Sequence, residues 1–495
     1  MAAVVPVVKR VVSRTPEAVQ RARKEFADLE AWLSSGATLQ KPLHEVEREQ
    51  EHRGREVQRL MLQAHIEQRG NGDVGPALRV IEGKEEKFYR QRRVRKRRLK
   101  TIFGLIEIVR IRYGQRRGKS IYPLDEDLQL PARSFSYELQ KRMVKAAVQG
   151  PFHEVKELIK EISGVSVPKR SVEAVIEDAA EDFDAFYAAR TPEPSSRAAC
   201  ILVAAVDCKG IPMVKKQRAQ HVVRPGRGKK ANKKKMATVA TVFTRKPWVR
   251  SPEAVVESLF ASGPRPLADG EVRPRPEHKR VWASLVKGKA AVIAEVAEEI
   301  RCRDPRRKKT HVAVTDGERA LQILIKKKLK IILILDLLHV LEKLWKAAYV
   351  FHREGSPEAE QWVRIRTLRI LQGHVSQVVK GLRQSATKLK LRGAKHKTVR
   401  DVAGYLYRNR TRMRYDHYLA SGLPIASGPV EGACKHLIKD RMERSGMRWT
   451  QKMAEAMVKL RAIYLSGDID HYWRFHIEKD QLRLHPPRRW TVVTK

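Results

Sequence analysis

Four short apolar runs in the middle of the chain constrain its fold most: residues 201–206 (ILVAAV), 236–243 (MATVATVF), 311–315 (HVAVT) and 331–335 (IILIL). Their β-branched content and their lack of helical spacing read as strands. They begin only after residues 190–197 (RTPEPSSR), a linker by composition. Helical spacing is expected near 252–260, 278–300 and 317–328. A very basic loop, Lys215 to Lys235, joins the first two runs.

Strand, hairpin partner, helices, strand, helix, strand is the order of a ribonuclease-H-like α/β core. In such a core the first strand is central and the next acid-bearing strand lies beside it. The rest of the chain divides around it. Residues 1–75 are expected as an N-terminal helical region, opened by the Thr15-Pro16-Glu17 start signal. Residues 76–135 are expected as a basic β region: the run YRQRRVRKRR (89–98) feeds an alternating stretch at 106–113. Residues 136–190 resemble a helix-turn-helix, with Val155, Leu158, Ile159 and Ile162 on one helix, Gly164 at the turn, and Val172, Val175, Ile176 and Ala179 on the next. Residues 198–336 would form the first part of the core and 337–425 a helical insertion. The core would end at 426–466, followed by a basic tail at 467–495.

Three acids stand at the ends of these elements. Asp207 and Asp316 follow the first and third apolar runs, and Glu431 lies in GPVEGACKH, where a helix begins. Carboxylates gathered on one sheet rim are hard oxygen ligands for Mg²⁺, and would repel one another without it. Each also has a plainer reading: Asp207 as a strand-end turn residue, Asp316 as a helix cap, Glu431 as a helix-dipole complement. Asp336 competes with Asp316, because it too ends an apolar run. Its strand would lie two spacings, roughly 10 Å, from Asp207, so Asp316 is preferred. His339, one turn after Asp336, and Lys209, just past Asp207, are auxiliary candidates.

Lysine and arginine number 102 against 56 acids, a formal net charge of +46. Such an excess calls for a polyanion, and nucleic acid is the usual one. Candidate DNA contacts are Arg92, Arg93, Arg95, Lys96, Arg97 and Arg98 on the basic run and Lys169 and Arg170 at the second helix of the helix-turn-helix. Lys229, Lys230, Lys233 and Lys234 in the basic loop, and Arg441 and Arg448 near the end of the core, complete the set. No apolar stretch approaches the length of a membrane span. The start reads as no signal peptide, and a cytoplasmic protein is expected. Four scattered cysteines, with no C-x-x-C pair, argue against a zinc ribbon or a disulfide framework.

Several of these residues form blocks. Val206-Asp207 with Lys209-Gly210, TDGE at 315–318, DLLH at 336–339, GPVEG at 428–432 and RMERSGMRW at 441–449 resemble the DDE transposases of bacterial insertion sequences. Within them the likeness is to the Kra-type family of the Mutator-like group. PLDEDL at 123–128 and GPFHE at 150–154 add to it, so it covers roughly residues 80–465. The resemblance implies a ribonuclease-H-like catalytic core with an all-helical insertion, preceded by DNA-binding regions. It aligns Asp207, Asp316 and Glu431 with the family's catalytic acids, and Asp336 and His339 with its Cys-or-Asp, two residues, His motif.

Two Mg²⁺ or Mn²⁺ ions per active site, double-stranded DNA as partner (element terminal repeats and target) and a homodimer or larger assembly on DNA are the matching expectations. Two other readings stay open: a structure-selective nuclease of the same fold, and a DNA-binding protein without catalysis.

Overall fold

The computed structural model describes residues 17–82, 85–116, 118–192, 196–214, 234–261, 263, 273–426 and 428–493. Its chain is a mixed α/β fold with two sheets, divided into two compact units, Met1–Phe186 with Asp470–Lys495, and Tyr187–Ile469.

In the first unit the basic run is itself a strand. β2 (Glu85–Thr101) and β3 (Gly104–Gly114) make a long hairpin, continued by β1 (Ala77–Glu82) and β9 (Arg489–Val492) in an antiparallel sheet of order β3-β2-β1-β9. The hairpin serves two small cores. Leu99, Ile106 and Ile108 pack with Ile66, Leu124 and Leu130, whereas Tyr89, Ile111 and Tyr113 pack with Leu78, Val80 and Ile121. The register shift between Gln91 and Val94 falls between the two halves, and such an irregularity re-aims the side chains that follow. The outer edge of β3 is covered by helix Leu43–Gln68. The Gln63 amide donates to Glu107 O at 2.9 Å and accepts from Glu107 N at 2.9 Å, taking the place of a neighbouring strand.

Helices Phe152–Ser163 and Lys169–Ala179 flank a turn opened by Gly164 at φ 67°, a left-handed cap that glycine adopts at little cost. Of the expected stripe on the first helix, Val155 and Ile159 are buried, but Leu158 and Ile162 are exposed; all four of the second helix are buried.

The second unit holds a five-stranded sheet of order β6-β5-β4-β7-β8. β4 (Ile201–Pro212) is central, with β5 (Lys234–Arg245) antiparallel on one side and β7 (Thr310–Thr315) parallel on the other. β6 (Glu277–Ser284) pairs antiparallel with β5, and β8 (Ile332–Leu335) parallel with β7. Residues 201–206 are buried throughout, as a central strand covered on both faces requires.

One sheet face, through Ile201, Val203, Val312, Val314 and Ile334, shares a core with helices Leu337–Phe351, Pro357–Leu371, Val375–Lys388 and Gly393–Asn409. Residues 337–425 are thus the cover of the sheet and not a detached body.

Two expectations fail. Residues 278–284, expected as helix, are strand β6; helix Lys289–Arg303 starts only after Gly288. Val281 and Trp282 favour a strand, and β5 offers an edge to pair with. The expected tail at 467–495 holds helix Ile469–Leu484 and β9. Tyr472 and Trp473 are buried, and Tyr472 is hydrogen-bonded to Ala179 O.

Candidate active site

Extending the β4–β7 register by two residues beyond the Ala205↔Val314 pair sets Asp207 abreast of Asp316. Adjacent strands lie about 4.8 Å apart, so the two carboxylates feel each other. Burial, and then the charge of Asp207, push the Asp316 carboxyl above its usual range, against the opposing bond from Glu318 N at 3.0 Å. The Asp207 carboxylate accepts from Cys208 N at 2.6 Å and from the Cys434 thiol at 3.2 Å. Burial and Asp207 together push the Cys434 thiol far up, so it is a protonated donor.

Glu431 belongs to helix Gly428–Ala433, which packs against β4 and β5 and runs into the π-helical stretch Cys434–Lys439. Position 431 is therefore one turn before Cys434. The Glu431 side chain lies outside the described residues. Among the described residues no three His, Cys, Asp or Glu side chains are grouped to hold a metal ion. The pair Asp207 and Asp316 is suited to a hard divalent cation: both are oxygen donors, and like charges held side by side are relieved by a cation.

Asp336 has a different task. Its fully buried carboxylate caps helix Leu337–Phe351, accepting from Leu338 N at 2.9 Å, and lies 3.2 Å from His339 Nδ1. That bond raises the His339 pKa to about 9, with Asp316 a smaller contributor. His339 is therefore an imidazolium at neutral pH, beside the acidic pair. Lys209, half-buried, lies near enough to Cys434 to oppose the upward shift of its thiol.

Three neighbours carried no signal in the sequence. Tyr405, from helix Gly393–Asn409, packs on Gly317; a Cβ there would lie 2.2 Å from its ring and 2.5 Å from its hydroxyl. That hydroxyl is buried with no hydrogen-bond partner among the described residues. Lys289 pairs with Glu318 and also feels Asp316. Cys434 was visible only as an isolated cysteine. What could have pointed to Tyr405 is Gly317, since a glycine after a strand-end acid often marks close approach of another chain segment.

Among the expected DNA contacts, Arg92, Arg93, Arg95, Lys96 and Arg98 are exposed on β2, and Lys169 and Arg170 are exposed at the start of their helix. Lys96 pairs with Glu107 at 2.7 Å and Lys169 with Glu173 at 3.8 Å. Lys234 pairs with Glu443, and Arg448 is exposed. Lys229, Lys230 and Lys233 lie outside the described residues.

Two expectations need correction. Arg97 is turned inward, bonded to Asp125 at 3.1 Å and to Arg133 O at 3.0 Å. Arg441 is fully buried, 5.0 Å from the Trp449 ring and 3.2 Å from Met447 Sδ. Trp449 in turn bridges to the end of β4 through Pro212 and Val214. Arg441 thus packs the block at 441–449 onto the sheet instead of facing solvent.

Among the described residues no helix is long and apolar enough to cross a membrane. No protein-family model matches this sequence, and no curated protein matches it. Among solved structures the chain is similar to the Drosophila P element transposase strand transfer complex, at 8% identity and a TM-score of 0.26, over 72% of this chain and 82% of that one.

Proposed function

We propose that the chain is a DDE-type transposase of the Kra-type, Mutator-like kind, with a ribonuclease-H-like core. It binds the ends of its element and carries out metal-dependent strand cleavage and strand transfer. The observation that carries this reading is the placement of Asp207 and Asp316 abreast on neighbouring parallel strands, in a sheet whose acid-bearing first strand is central. A helix bearing Glu431 packs on the same strand. The order β6-β5-β4-β7-β8, three antiparallel strands followed by two parallel ones, supports the ribonuclease-H-like assignment.

In this reading Asp207, Asp316 and Glu431 hold two Mg²⁺ or Mn²⁺ ions. Such ions supply charge neutralisation at the phosphate and a nucleophilic oxygen at neutral pH. The protein's own groups do the positioning. Cys208 N and the Cys434 thiol orient the Asp207 carboxylate, and Glu318 N orients that of Asp316. His339, cationic and held by Asp336, and Lys209 supply positive charge for a DNA phosphate. The exposed arginines of β2 and the start of helix Lys169–Ala179 hold element ends by their backbone phosphates. The protein acts as a homodimer or larger assembly on DNA, since two ends must be joined to one target.

The test is strand cleavage of linear DNA carrying the terminal repeats that flank the coding sequence. Wild type should nick with Mg²⁺ and insert the cut end into a supercoiled plasmid. Asp207→Asn and Glu431→Gln should do neither. Cleavage without insertion would favour the nuclease; undiminished cleavage by Glu431→Gln would remove that residue from the mechanism.

A further inference from the structure

Two arginines of the Tyr187–Ile469 unit lie against one indole and a third is close enough to feel their charge; none is used in the proposed reaction. Arg245 ends β5, Trp248 and Arg250 follow it before helix Pro252–Leu259, and Arg273 precedes β6. Arg250 Cζ lies 4.5 Å and Arg273 Cζ 5.7 Å from the Trp248 ring centroid. Among the described residues, none of the three guanidiniums has a carboxylate partner. Arg245 Nε reaches Lys246 O at 3.3 Å, and Arg250 Nη2 reaches Leu423 O at 3.5 Å, both long bonds. Arg245 Nη2 and Arg250 Nε are buried and have no hydrogen-bond partner among the described residues. Glu253, three residues after Arg250, accepts instead from Gln372 at 2.9 Å, and Asp269 and Glu271, which precede Arg273, lie outside the described residues.

Such an arrangement is costly when empty. Burial, then Arg245 and Arg273, bring the Arg250 pKa down to about 10, and burial with Arg273 lowers that of Arg245. The segment is nonetheless held in place. Trp248 N donates to Gly422 O at 2.9 Å, and a Cβ on Gly422 would lie 2.6 Å from Trp248 N. Gly422 also adopts φ +68°, which disfavours any other residue. Like charges fixed together, stacked on an aromatic ring and carrying buried unbonded donors, match a multi-oxygen anion, which the guanidinium fork binds through paired hydrogen bonds.

We propose that Arg245, Arg250 and Arg273 form, around Trp248, a phosphate clamp separate from the acidic site, filled by a phosphodiester of bound DNA. Arg245 is paired with Ile201, six residues along β4 from Asp207, which puts the clamp roughly 20 Å from the acids along the sheet. Only the choice of DNA as the phosphate carrier rests on the reading in the preceding subsection.

The full chain is tested in EDTA, so cleavage plays no part. Thermal unfolding is compared in sodium phosphate and in sodium chloride of equal ionic strength. Binding of a fluorescein-labelled duplex is titrated by anisotropy across a range of KCl. Inorganic phosphate should raise the melting temperature of wild type and not that of the double variant Arg250→Gln/Arg273→Gln. The variant should bind DNA more weakly, and its slope of log K on log salt should be shallower by about 0.9 for each DNA phosphate that it no longer neutralises. Arg273→Gln alone, at an exposed position, should melt no lower than wild type and still show a shallower slope.

Phosphate stabilisation with an unchanged DNA slope would overturn the DNA assignment; absence of both effects would overturn the clamp. A protein that shows the slope change but never cleaves would refute the catalytic reading and leave the clamp standing.

Discussion

Replacing Asp336 by Asn exchanges a carboxyl for an amide at a fully buried position and keeps an oxygen that can accept at the helix cap. Asn caps helices about as well as Asp, so the bond from Leu338 N at 2.9 Å is kept. What disappears is the attraction that lifts the His339 pKa from 6.5 to about 9. A rise of that size corresponds to about 3 kcal/mol at roughly 1.36 kcal/mol per unit. The His339 side chain is 33% exposed, and solvent screening reduces the figure to ~1–2 kcal/mol. The folded-state value lies above the unfolded one, so this stabilisation is fully present below pH 6.5 and is lost as pH rises through about 9.

Asp336→Asn is therefore expected to be less stable than wild type by ~1–2 kcal/mol in mildly acidic buffer, the gap closing above pH 9 or so. Urea unfolding followed by tryptophan fluorescence in EDTA, at a series of pH values, measures the gap. Titration of the His339 ring by NMR measures its cause. A gap that does not change with pH, or a wild-type His339 that titrates near 6.5, would refute this account of the pair.

Gly317→Ala should destabilise by about 1–3 kcal/mol, since the new methyl meets the Tyr405 ring at 2.2 Å. In a double-mutant cycle with Tyr405→Ala the two costs should be strongly non-additive, and simple additivity would show that the ring is not what excludes a side chain. Gln63→Ala should cost about 1–2 kcal/mol and speed hydrogen exchange at the Glu107 amide, which it would otherwise cover; unchanged exchange there would disprove the edge-capping role. Iodoacetamide should label exposed Cys200 roughly tenfold or more faster than buried Cys434. Comparable rates by mass spectrometry would mean that the Cys434 thiol is not held against Asp207.

Much of the sheet could be read from pattern alone. Residues 201–206, 236–243, 311–315 and 331–335 all lie in strands or within one residue of one, because strands packed into a core are rich in β-branched and other apolar residues. Asp207 and Asp316 were legible because polar residues interrupt such runs; Asp316 directly follows β7, whereas β4 continues past Asp207 to Pro212. β6 was not, because Val281, Leu285 and Val292 also fit a helical spacing, and only the open edge of β5 decides between the two. The helix-turn-helix was legible at Gly164, yet its first helix buries only half of the expected stripe. Spacing marks a face, and the neighbours determine how much of that face is covered.

Local sequence, then, marked most of the strands and helices, set Asp207 and Asp316 at the ends of apolar runs, and fixed a formal net charge of +46. These depend on near neighbours and on composition. Only the tertiary structure decided which charges lie inside. Arg97 finds Asp125, Arg441 stacks near Trp449, and Arg245, Arg250 and Arg273 are left, among the described residues, with no acid to balance them. An arginine in a charged run looks the same whether it meets water or a carboxylate. The difference comes from the partner that folding brings to it, often from far along the chain.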